Sequence, residues 1–590
     1  MSKTPPYVGH AGTALLAAAL LLPVGDAPWF SFWREWAAAL AVLLIVLDGA
    51  SRLRAAGRSL HIPLLSLPTM CLGLAAVAIV QCTVGTVPFH GDALIVASEF
   101  TAFALCMGIA QSLDADDRAM LADRMATALL IAALVSVPIA IGQWLGWLTL
   151  DLGIHVAAGR PVAHMEQTNL LCTLEILGAL GAWRLAERGK LPRRALWLIQ
   201  PSLLAVMVLT QSRVALLAGG AIVLACLWRR RALAMPPRAA WLVVLAVCSV
   251  LVGMLLLPLL DQHLGLTGAT LQERTSAGRR PLLWKMMIEA VLQHPWAGWG
   301  ALQNGAAQYA LAPGYPSLAW SFSSAHDLPL DVMLWFGAPL GLLASATLGL
   351  AALRRLAIAN SLPAFITMLS VLALLLHALV ELPLHYLYFS LPLALMLGSS
   401  AGGNDDEANA AASRRFALRL PLKTKPVLPL LATAPALLLA ALAHEYIALS
   451  DVRPLLDIDP ASNHLVLGAQ APVPEVQLLD QLQAFHRFAA VPMQAGVSAA
   501  ELDAMRAPML RFTFAPSIER YAHVMALNGR RDQAMEALAR LCKFQTEVQC
   551  EGAEDAWATW QELGQPLPDW LSDIQCGTCA GRARNGQGSR

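Results

Sequence analysis

A histidine stands where a polar loop meets a long apolar stretch, within residues 323–337. Asp327 is a good helix N-cap and Pro329 fits a first helical turn, so the sequence predicts that a helix begins here. His326 would then lie just outside the end of that helix, on a rigid support. Because imidazole titrates near neutral pH, His326 could take a proton from an incoming hydroxyl group. A histidine that only lines an interface loop is the alternative.

Arginines beside apolar segments are the second chemical signal. Arg213 interrupts an apolar run at a tight turn, and Arg279 and Arg280 head an amphipathic stretch that contains Trp284. A guanidinium stays charged and can bind two phosphate oxygens at once. Together with His326, these arginines suit the diphosphate head of a polyprenyl lipid at a membrane surface. Snorkelling or headgroup-facing arginines are the alternative.

The sequence contains no His-Glu-x-x-His, no P-loop and no Gly-x-Ser-x-Gly motif. We therefore expect a transfer reaction without a metal and without a cofactor.

The composition identifies the fold class that must position these residues. Of 590 residues, 57% are hydrophobic and 14% are charged, whereas about 25% of an ordinary soluble protein is charged. The net charge of +1 gives no reason to expect nucleic acid as a partner. We predict an all-α, polytopic membrane helical bundle.

Thirteen apolar stretches are long enough to cross a bilayer, and we expect about 12–13 spans from them. They cover residues 9–24, 35–50, 62–82, 92–112, 121–148, 167–186, 195–211, 213–229, 239–260, 328–352, 362–381, 383–398 and 427–448. The first has no small-residue cleavage site, so we read it as a retained span.

Basic residues predict the orientation, because cytoplasmic loops are enriched in Lys and Arg. Alternate loops carry clusters such as Arg229, Arg230 and Arg231, and we assign these loops to the cytoplasm. The other loops are nearly free of basic residues; their exceptions include Arg34, Arg160, Arg213, Arg279 and Arg280. The N-terminus is then cytoplasmic and the C-terminal region periplasmic.

The predicted spans divide the chain into four parts. Residues 1–260 form N-terminal membrane helices, 261–327 a periplasmic loop, 328–450 C-terminal membrane helices with a solvated cytoplasmic linker at 399–426, and 451–590 a periplasmic helical domain. Residues 521–542 resemble one tetratricopeptide-type helical hairpin, with an ordinary hairpin as the alternative. The tail contains Cys542, Cys550, Cys576 and Cys579, which predict two disulfides of unknown pairing, or else a zinc site.

Several short motifs occur in the same order as in one enzyme family. They are Gln167-Thr168-Asn169; Gln211-Ser212-Arg213; Gly278-Arg279-Arg280 with Trp284; His294-Pro295 with Gly298-Trp299-Gly300; His326-Asp327 before Asp331, Phe336 and Gly337; and Val-Glu-Leu-Pro-Leu-His-Tyr at 380–386. Over roughly residues 160–400 the chain resembles the bacterial superfamily of O-antigen ligases, O-antigen polymerases and protein O-oligosaccharyltransferases. The last motif is similar to the protein-glycosylating branch. Many members have His-Asn where this chain has His326-Asp327.

The resemblance implies a role for each candidate residue. The donor would be an oligosaccharide on undecaprenyl diphosphate at the periplasmic face of the bacterial inner membrane. Arg213 and Arg280 would bind the diphosphate with help from Arg279, and His326 would be the general base of an inverting displacement. Asp327 would either orient His326 or cap the helix. The expected acceptor or sugar contacts are Gln167, Asn169, Asp327, Glu381 and His385. Helix capping by Gln167 and Asn169 is one alternative. The other is a mutual pair of Glu381 and His385, which lie four residues apart and so on one face of a predicted helix.

The acceptor distinguishes three related functions. Protein O-glycosylation would transfer the glycan to Ser or Thr of a periplasmic protein such as a pilin, a ligase would use lipid A core, and a polymerase would extend the lipid-linked glycan. The periplasmic domain of about 140 residues and the 380–386 motif favour the protein acceptor. An anion transporter is the distant alternative, although the sequence shows no internal repeat.

Overall fold

A computed structural model describes residues 7–23, 29–148, 160–266, 278–400, 417–420, 422, 427–452, 456–458, 465–467 and 472–545. Its first half consists of the helices α1 (Tyr7–Leu21), α2 (Phe32–Ala55), α3 (Leu67–Thr83), α4 (His90–Ser112), α5 (Ala115–Trp144), α6 (Thr168–Glu187), α7 (Leu196–Thr210), α8 (Arg213–Arg229) and α9 (Pro237–His263).

The second half begins with two helices outside the predicted spans, α10 (Arg280–Gln293) and α11 (Asn304–Leu311). Apolar helices follow: α12 (Leu328–Phe336), α13 (Ala338–Ile358), α14 (Leu362–Ala378), α15 (Leu387–Ser399) and α16 (Val427–Ser450). The C-terminal domain contains α17 (Asp480–Ala490), α18 (Ala499–Ala504), α19 (Arg506–Arg511), α20 (Ala515–Leu527) and α21 (Arg531–Leu541).

The predicted helical membrane bundle is confirmed. In the described part of the chain, six helices are long and apolar enough to cross a membrane, namely α2, α4, α5, α9, α13 and α16. Four shorter apolar helices, α1, α3, α14 and α15, accompany them. Each of the thirteen predicted stretches coincides with one helix or, at 328–352, with two.

The predicted span 328–352 is wrong as a single helix, because the chain breaks at Gly337. Gly337 has φ +87°, a conformation that side chains rarely adopt. A Cβ atom there would overlap the carbonyl oxygens of Trp296 and Pro295. The backbone N–H of Ala338 donates to the Pro295 carbonyl at 2.7 Å. The loop before α11 therefore packs into the break and separates the short helix α12 from the longer α13.

Helix pairs that are consecutive in sequence form the main core. Helices α1 and α2, α3 and α4, and α5 and α6 pack against each other, and α15 packs against α2, α4 and α5. Aromatic side chains of α14 and α15 are fully enclosed at its centre, including Phe365, Tyr388 and Phe389. Helices α14 and α15 flank the turn at 379–386, so this core fixes the position of that turn.

The linker at 399–426 is not solvated throughout, in contrast to the prediction. Strand β2 (Ala417–Leu420) pairs antiparallel with β1 (Leu60–Pro63), and Leu60 faces Leu420 in the register. Leu422 is buried in the main core. This end of the linker is therefore anchored to the loop that follows α2.

The C-terminal domain is anchored to the membrane helices through buried polar contacts. Arg511 binds Asp92 of α4 through two hydrogen bonds of 2.6 and 2.9 Å, and Asp92 is fully buried. Glu445 of α16 accepts three backbone hydrogen bonds from residues 477–479, at 2.8–3.0 Å. A second two-stranded sheet joins β3 (Leu456–Ile458) to β4 (Leu465–Leu467).

The predicted hairpin in this domain consists of α20 and α21, which turn at Gly529 with φ +72°. Its tetratricopeptide character stays a prediction. Cys542 is disulfide-bonded, while Cys550, Cys576 and Cys579 lie outside the described residues, so the pairing also stays a prediction.

Candidate active site

His326 is held in an unusual backbone conformation at the start of α12. Its φ of +54° lies in the left-handed region, which costs a non-glycine residue about 1–3 kcal/mol unless the surroundings impose it. Its backbone N–H donates to Oγ of Ser324 at 2.9 Å, and its ring meets Phe322 edge-on at 5.5 Å. The side chain is 19% exposed. The imidazole is therefore largely buried and is carried by a fixed backbone.

Asp331, one turn into α12, holds this loop in place. Its buried carboxylate accepts hydrogen bonds from Ser324 Oγ at 2.5 Å, from the Ala325 backbone N–H at 2.7 Å and from Asn304 Nδ2 at 2.7 Å. Nε2 of His385 lies 3.1 Å from the same carboxylate. Asp331 thus connects α11, α12 and the turn before α15 to the loop that carries His326.

Glu381 lies at the centre of the candidate residues. Its Oε1 atom binds Arg280 of α10 and accepts a hydrogen bond of 2.6 Å from Nδ2 of Asn169. Its Oε2 atom lies 3.8 Å from Nδ1 of His326. Asn169 accepts a hydrogen bond of 2.7 Å from Oγ of Ser212. The structure therefore brings Asn169, Arg280, His326 and Glu381 together, from four separate parts of the chain.

The amino ends of α6, α8 and α10 meet at this point. Asn169 is the second residue of α6, Arg213 begins α8 and Arg280 begins α10. Ser212 is the N-cap of α8, and it connects this helix end to Asn169. Helix amino ends attract anions because their N–H groups and dipoles point outward. Three such ends and two guanidinium groups form an electropositive site.

Burial and charge determine the protonation of the two central side chains. Burial lowers the pKa of His326 to about 4, aided by the positive charge of Arg280 and opposed by Asp331. His326 is therefore neutral near pH 7 and can accept a proton. Burial and the positive charge of Arg213 lower the pKa of Arg280. An incoming anion would relieve the repulsion between the two arginines.

Three predicted site residues, Arg279, Asp327 and Gln167, are not among the side chains that surround Glu381. Arg279 binds the backbone carbonyl of Leu318, so its guanidinium holds the loop after α11. Asp327 caps α12 by accepting a hydrogen bond of 2.8 Å from Leu330, which is the capping alternative. Gln167 occupies the N-cap position of α6 without a side-chain capping bond.

The alternative in which Glu381 and His385 pair with each other on one helical face is wrong, while their contact with acceptor or sugar stays a prediction. Helix α15 begins only at Leu387, and Pro383–His385 form a 3-10 turn instead. The turn points Glu381 toward Arg280 and His385 toward Asp331. The local cause is Pro383, which has no N–H to continue a helix from the preceding residues.

Sequence reasoning did not assign roles to Asn304, Ser324 and His377. Asn304 also accepts a hydrogen bond of 2.6 Å from Nε1 of Trp335, which links it to α12. His377 is fully buried in α14 and contacts Oγ1 of Thr173 at 2.7 Å. An ionisable residue in an apolar helix is itself a signal for function, and that rule points to both His377 and Asp331.

Two other predicted external arginines have structural partners. Arg34 is fully buried and binds Glu166 at 3.1 Å and the carbonyl of His164 at 2.6 Å. Arg160 donates to the carbonyl of Thr210 at 2.8 Å. They fix the loop before α6 and the turn before α8. Of the arginines predicted to be external, Arg280 binds Glu381, and Arg213 lies close enough to Arg280 to lower its pKa.

Chemically, this arrangement offers a neutral base beside a cationic pocket. Among the described residues, no group of three or more His, Cys, Asp and Glu side chains is arranged to hold a metal ion. The arginines can stabilise negative charge on a leaving group, and the imidazole can take a proton from a nucleophile.

Comparison with known proteins shows which enzymes the chain resembles. Residues 202–345 match the O-antigen ligase family, and residues 366–549 match the family of the C-terminal part of the virulence factor membrane-bound polymerase. The general O-oligosaccharyltransferase of Acinetobacter baylyi is 29% identical over 399 residues, which is 65% of this chain and 68% of that protein. The ComP-specific O-oligosaccharyltransferase of the same bacterium is 26% identical over 324 residues, 54% of this chain and 58% of that protein. The chain is thus similar to the superfamily of O-antigen ligases and O-oligosaccharyltransferases, in particular to its O-oligosaccharyltransferase branch, and it is a glycosyltransferase.

Proposed function

We propose that the protein transfers an oligosaccharide from undecaprenyl diphosphate to Ser or Thr hydroxyl groups of periplasmic proteins. The observation that carries this proposal is the shared carboxylate of Glu381, which lies between Arg280 and His326. Arg280, which can bind a diphosphate, and His326, a neutral base, thus lie on either side of Glu381. Between them a glycosyl group could be transferred from the diphosphate to a hydroxyl group.

Arg213 and Arg280 bind the diphosphate in this proposal. Burial and, next, the positive charge of Arg213 lower the pKa of Arg280, and an anion bound by both guanidinium groups would reduce their repulsion. During transfer, negative charge builds on the departing undecaprenyl diphosphate, and the fixed guanidinium groups stabilise it. Arg279 supports the site indirectly through its contact with Leu318.

His326 acts as the general base. It takes the proton of the acceptor hydroxyl, whose oxygen forms a bond to the anomeric carbon. The bond from that carbon to the diphosphate oxygen breaks, and the electron pair leaves with undecaprenyl diphosphate. A single displacement of this kind inverts the anomeric carbon. No metal takes part in the proposed step.

The C-terminal domain and the relatives support a protein acceptor. Arg540 of this domain donates to the Tyr309 carbonyl at 3.0 Å, and Lys543 donates to the Tyr315 carbonyl at 2.9 Å. Tyr309 belongs to α11, which also carries Asn304. The domain is thus docked on the element that supports the His326 loop, where a bound protein would be near the site. The relatives named above are O-oligosaccharyltransferases.

The site faces the periplasm in this proposal, and the protein lies in the bacterial inner membrane. Asp123 binds Arg184 and Lys190, both at 2.9 Å, near the opposite helix ends from the site. These basic residues belong to the loops that the positive-inside rule assigns to the cytoplasm. The C-terminal domain, on the side of the site, is then periplasmic.

Ligation to lipid A core and glycan polymerisation are the second candidates, because the matched families are described as O-antigen ligase and membrane-bound polymerase. Mass spectrometry of periplasmic proteins with and without the gene distinguishes these functions. We expect glycopeptides to disappear when the gene is deleted. Unchanged glycopeptides with a loss of lipid A-linked glycan would instead identify the ligase.

Purified protein provides the direct assay. In nanodiscs, it is mixed with undecaprenyl-diphosphate oligosaccharide extracted from the native bacterium and with a periplasmic protein that the deletion experiment identifies as glycosylated. We expect this transfer assay to show glycan transfer to the protein.

A further inference from the structure

The two carboxylate oxygens of Glu381 have different surroundings. Oε1 receives the guanidinium of Arg280 and the amide of Asn169, whereas Oε2 faces Nδ1 of His326 at 3.8 Å. Glu381 is 6% exposed, so water cannot substitute freely for these partners. The carboxylate is thus shared between the proposed donor-binding cation and the proposed base.

In the structure, Glu381 neutralises Arg280. A diphosphate bound by Arg280 would occupy the position opposite the same guanidinium. Two anions at one cation repel each other strongly in a buried site. Donor binding must therefore weaken the pair between Glu381 and Arg280.

The nearest alternative partner of Glu381 is His326. Within the described part of the chain, Nδ1 of His326 is buried and has no hydrogen-bond partner. Its separation of 3.8 Å from Oε2 is too long for a hydrogen bond. Catalytic hydrogen bonds are often long in empty sites and shorten when the substrate is bound. A buried N–H beside a carboxylate is well placed to do so.

We propose that Glu381 changes partner during the reaction: it pairs with Arg280 before the donor binds and accepts a hydrogen bond from Nδ1 of His326 once a diphosphate has bound Arg280. This inference rests on the proposed function. Glu381 is then a positioning residue that directs the Nε2 lone pair of His326 toward the acceptor hydroxyl. Asn169 keeps its hydrogen bond to Oε1 and serves as the pivot.

The partner change makes proton transfer dependent on the donor. Before the reaction, the neutral imidazole carries its proton on Nδ1. Nε2 then takes the proton of the acceptor hydroxyl as the glycosyl bond moves from the diphosphate to the acceptor oxygen. The resulting imidazolium is stabilised by the Glu381 carboxylate, and it loses its proton to water after the products leave. Without donor, the carboxylate remains with Arg280 and the base is weak.

Several charged or titratable groups surround His326 and also influence its protonation. Arg280 faces it from α10, Asp331 from α12, and Glu381 and His385 from the turn before α15. His377 of α14 lies nearby, where it contacts Oγ1 of Thr173 at 2.7 Å. Glu381 is the carboxylate that contacts both Arg280 and His326.

Steady-state kinetics in the transfer assay test the inference through Glu381→Gln and Glu381→Asp. We expect kcat of Glu381→Gln to fall about 10- to 100-fold, a part of the roughly 10²- to 10⁴-fold that a positioned base contributes. Glu381→Asp keeps the charge and should recover part of this loss. Glu187→Gln, a carboxylate that pairs with Arg193 at the far end of α6, is the control.

The pH profile separates positioning from a structural role. In the wild type, the acid limb of kcat should lie at higher pH than the acid limb of kcat/KM, because only the donor-bound enzyme has Glu381 beside His326. In Glu381→Gln, this separation should shrink. If the separation stays at the wild-type value while only KM rises, Glu381 merely holds Arg280, and the inference is overturned.

Binding of glycan-free undecaprenyl diphosphate gives a readout without catalysis. Because Glu381 competes for Arg280, Glu381→Gln should bind this lipid as tightly as the wild type or up to about tenfold more tightly. Weaker binding by a folded, monodisperse variant would overturn the inference. Absence of transfer by the wild type would refute the proposed function itself. The variant results test only the partner change of Glu381, so the two failures can be told apart.

Discussion

Oδ2 of Asp331 lies 3.1 Å from Nε2 of His385, and this contact joins α12 to the 3-10 turn before α15. Asp331 also binds Ser324 and Ala325, immediately before His326, while His385 follows Glu381 in the same turn. One buried pair therefore keeps the proposed base and the shared carboxylate at a fixed separation, although the two residues belong to different segments.

Asp331→Asn should disturb this support without removing a group of the proposed chemistry. The amide replaces one acceptor oxygen with a donor, so one of the surrounding donors is left unpaired, which costs about 1–3 kcal/mol of stability. We expect kcat in the transfer assay to fall about tenfold or more, because a misplacement near 1 Å can cost 10²-fold, with little change in donor KM. Asp503→Asn, an exposed carboxylate in the C-terminal domain, is the control. Full activity of a normally folded Asp331→Asn would contradict the support role.

His326→Ala should abolish detectable transfer, with a loss of about 10²- to 10⁴-fold in kcat. The transfer assay measures this loss, and thermal unfolding checks the fold. Since Nδ1 of His326 has no hydrogen-bond partner among the described residues, alanine should change the melting temperature little. Transfer at half the wild-type rate would exclude His326 as the base.

Arg280→Ala should reduce kcat/KM for the donor by about 10²- to 10³-fold, the usual effect of removing one preorganised electrostatic group. Arg280→Lys keeps the charge but loses the two-point contact with phosphate, so its loss should be smaller. Arg193→Ala removes an exposed arginine that pairs with Glu187, and should have no effect on donor use. Equal and small losses in both Arg280 variants would argue against diphosphate binding.

The pH dependence of kcat/KM reports the donor-free enzyme. Because the pKa of His326 is lowered to about 4, the imidazole stays neutral as the pH falls from neutrality toward that value. We expect kcat/KM to remain level on the acid side until about pH 4, where protonation removes the base. An acid limb near 6.5, the value for an unperturbed histidine, would show that the site is open to water.

Arg511→Ala should detach the C-terminal domain from α4. Asp92 would remain buried without its two hydrogen bonds, which costs about 3–5 kcal/mol. We expect a lower melting temperature and faster proteolysis between α16 and α17. Arg487→Ala removes an exposed ion pair with Glu475, where the loss should be at most about 1 kcal/mol. Equal effects of the two substitutions would mean that the buried pair does not anchor the domain.

Local sequence features determined the helices of this protein. Apolar runs of sufficient length form helices because backbone groups in a membrane must bond within their own segment, and the thirteen predicted stretches follow from that rule. Asp327 and Pro329 likewise define the start of α12 through their own chemistry. The break at Gly337 was not visible locally, because it depends on the distant carbonyl groups of residues 295 and 296.

Motif order identified His326, Arg213 and Arg280 as candidates, but their arrangement depends on contacts between residues far apart in sequence. Asn169 and Glu381 are separated by 212 positions and meet at 2.6 Å. Spacing alone assigned Glu381 and His385 to one helical face, whereas Pro383 and the packing of α14 against α15 direct them to different partners. Side-chain types and local periodicity thus specify which groups are available, and only tertiary packing decides which of them share a carboxylate.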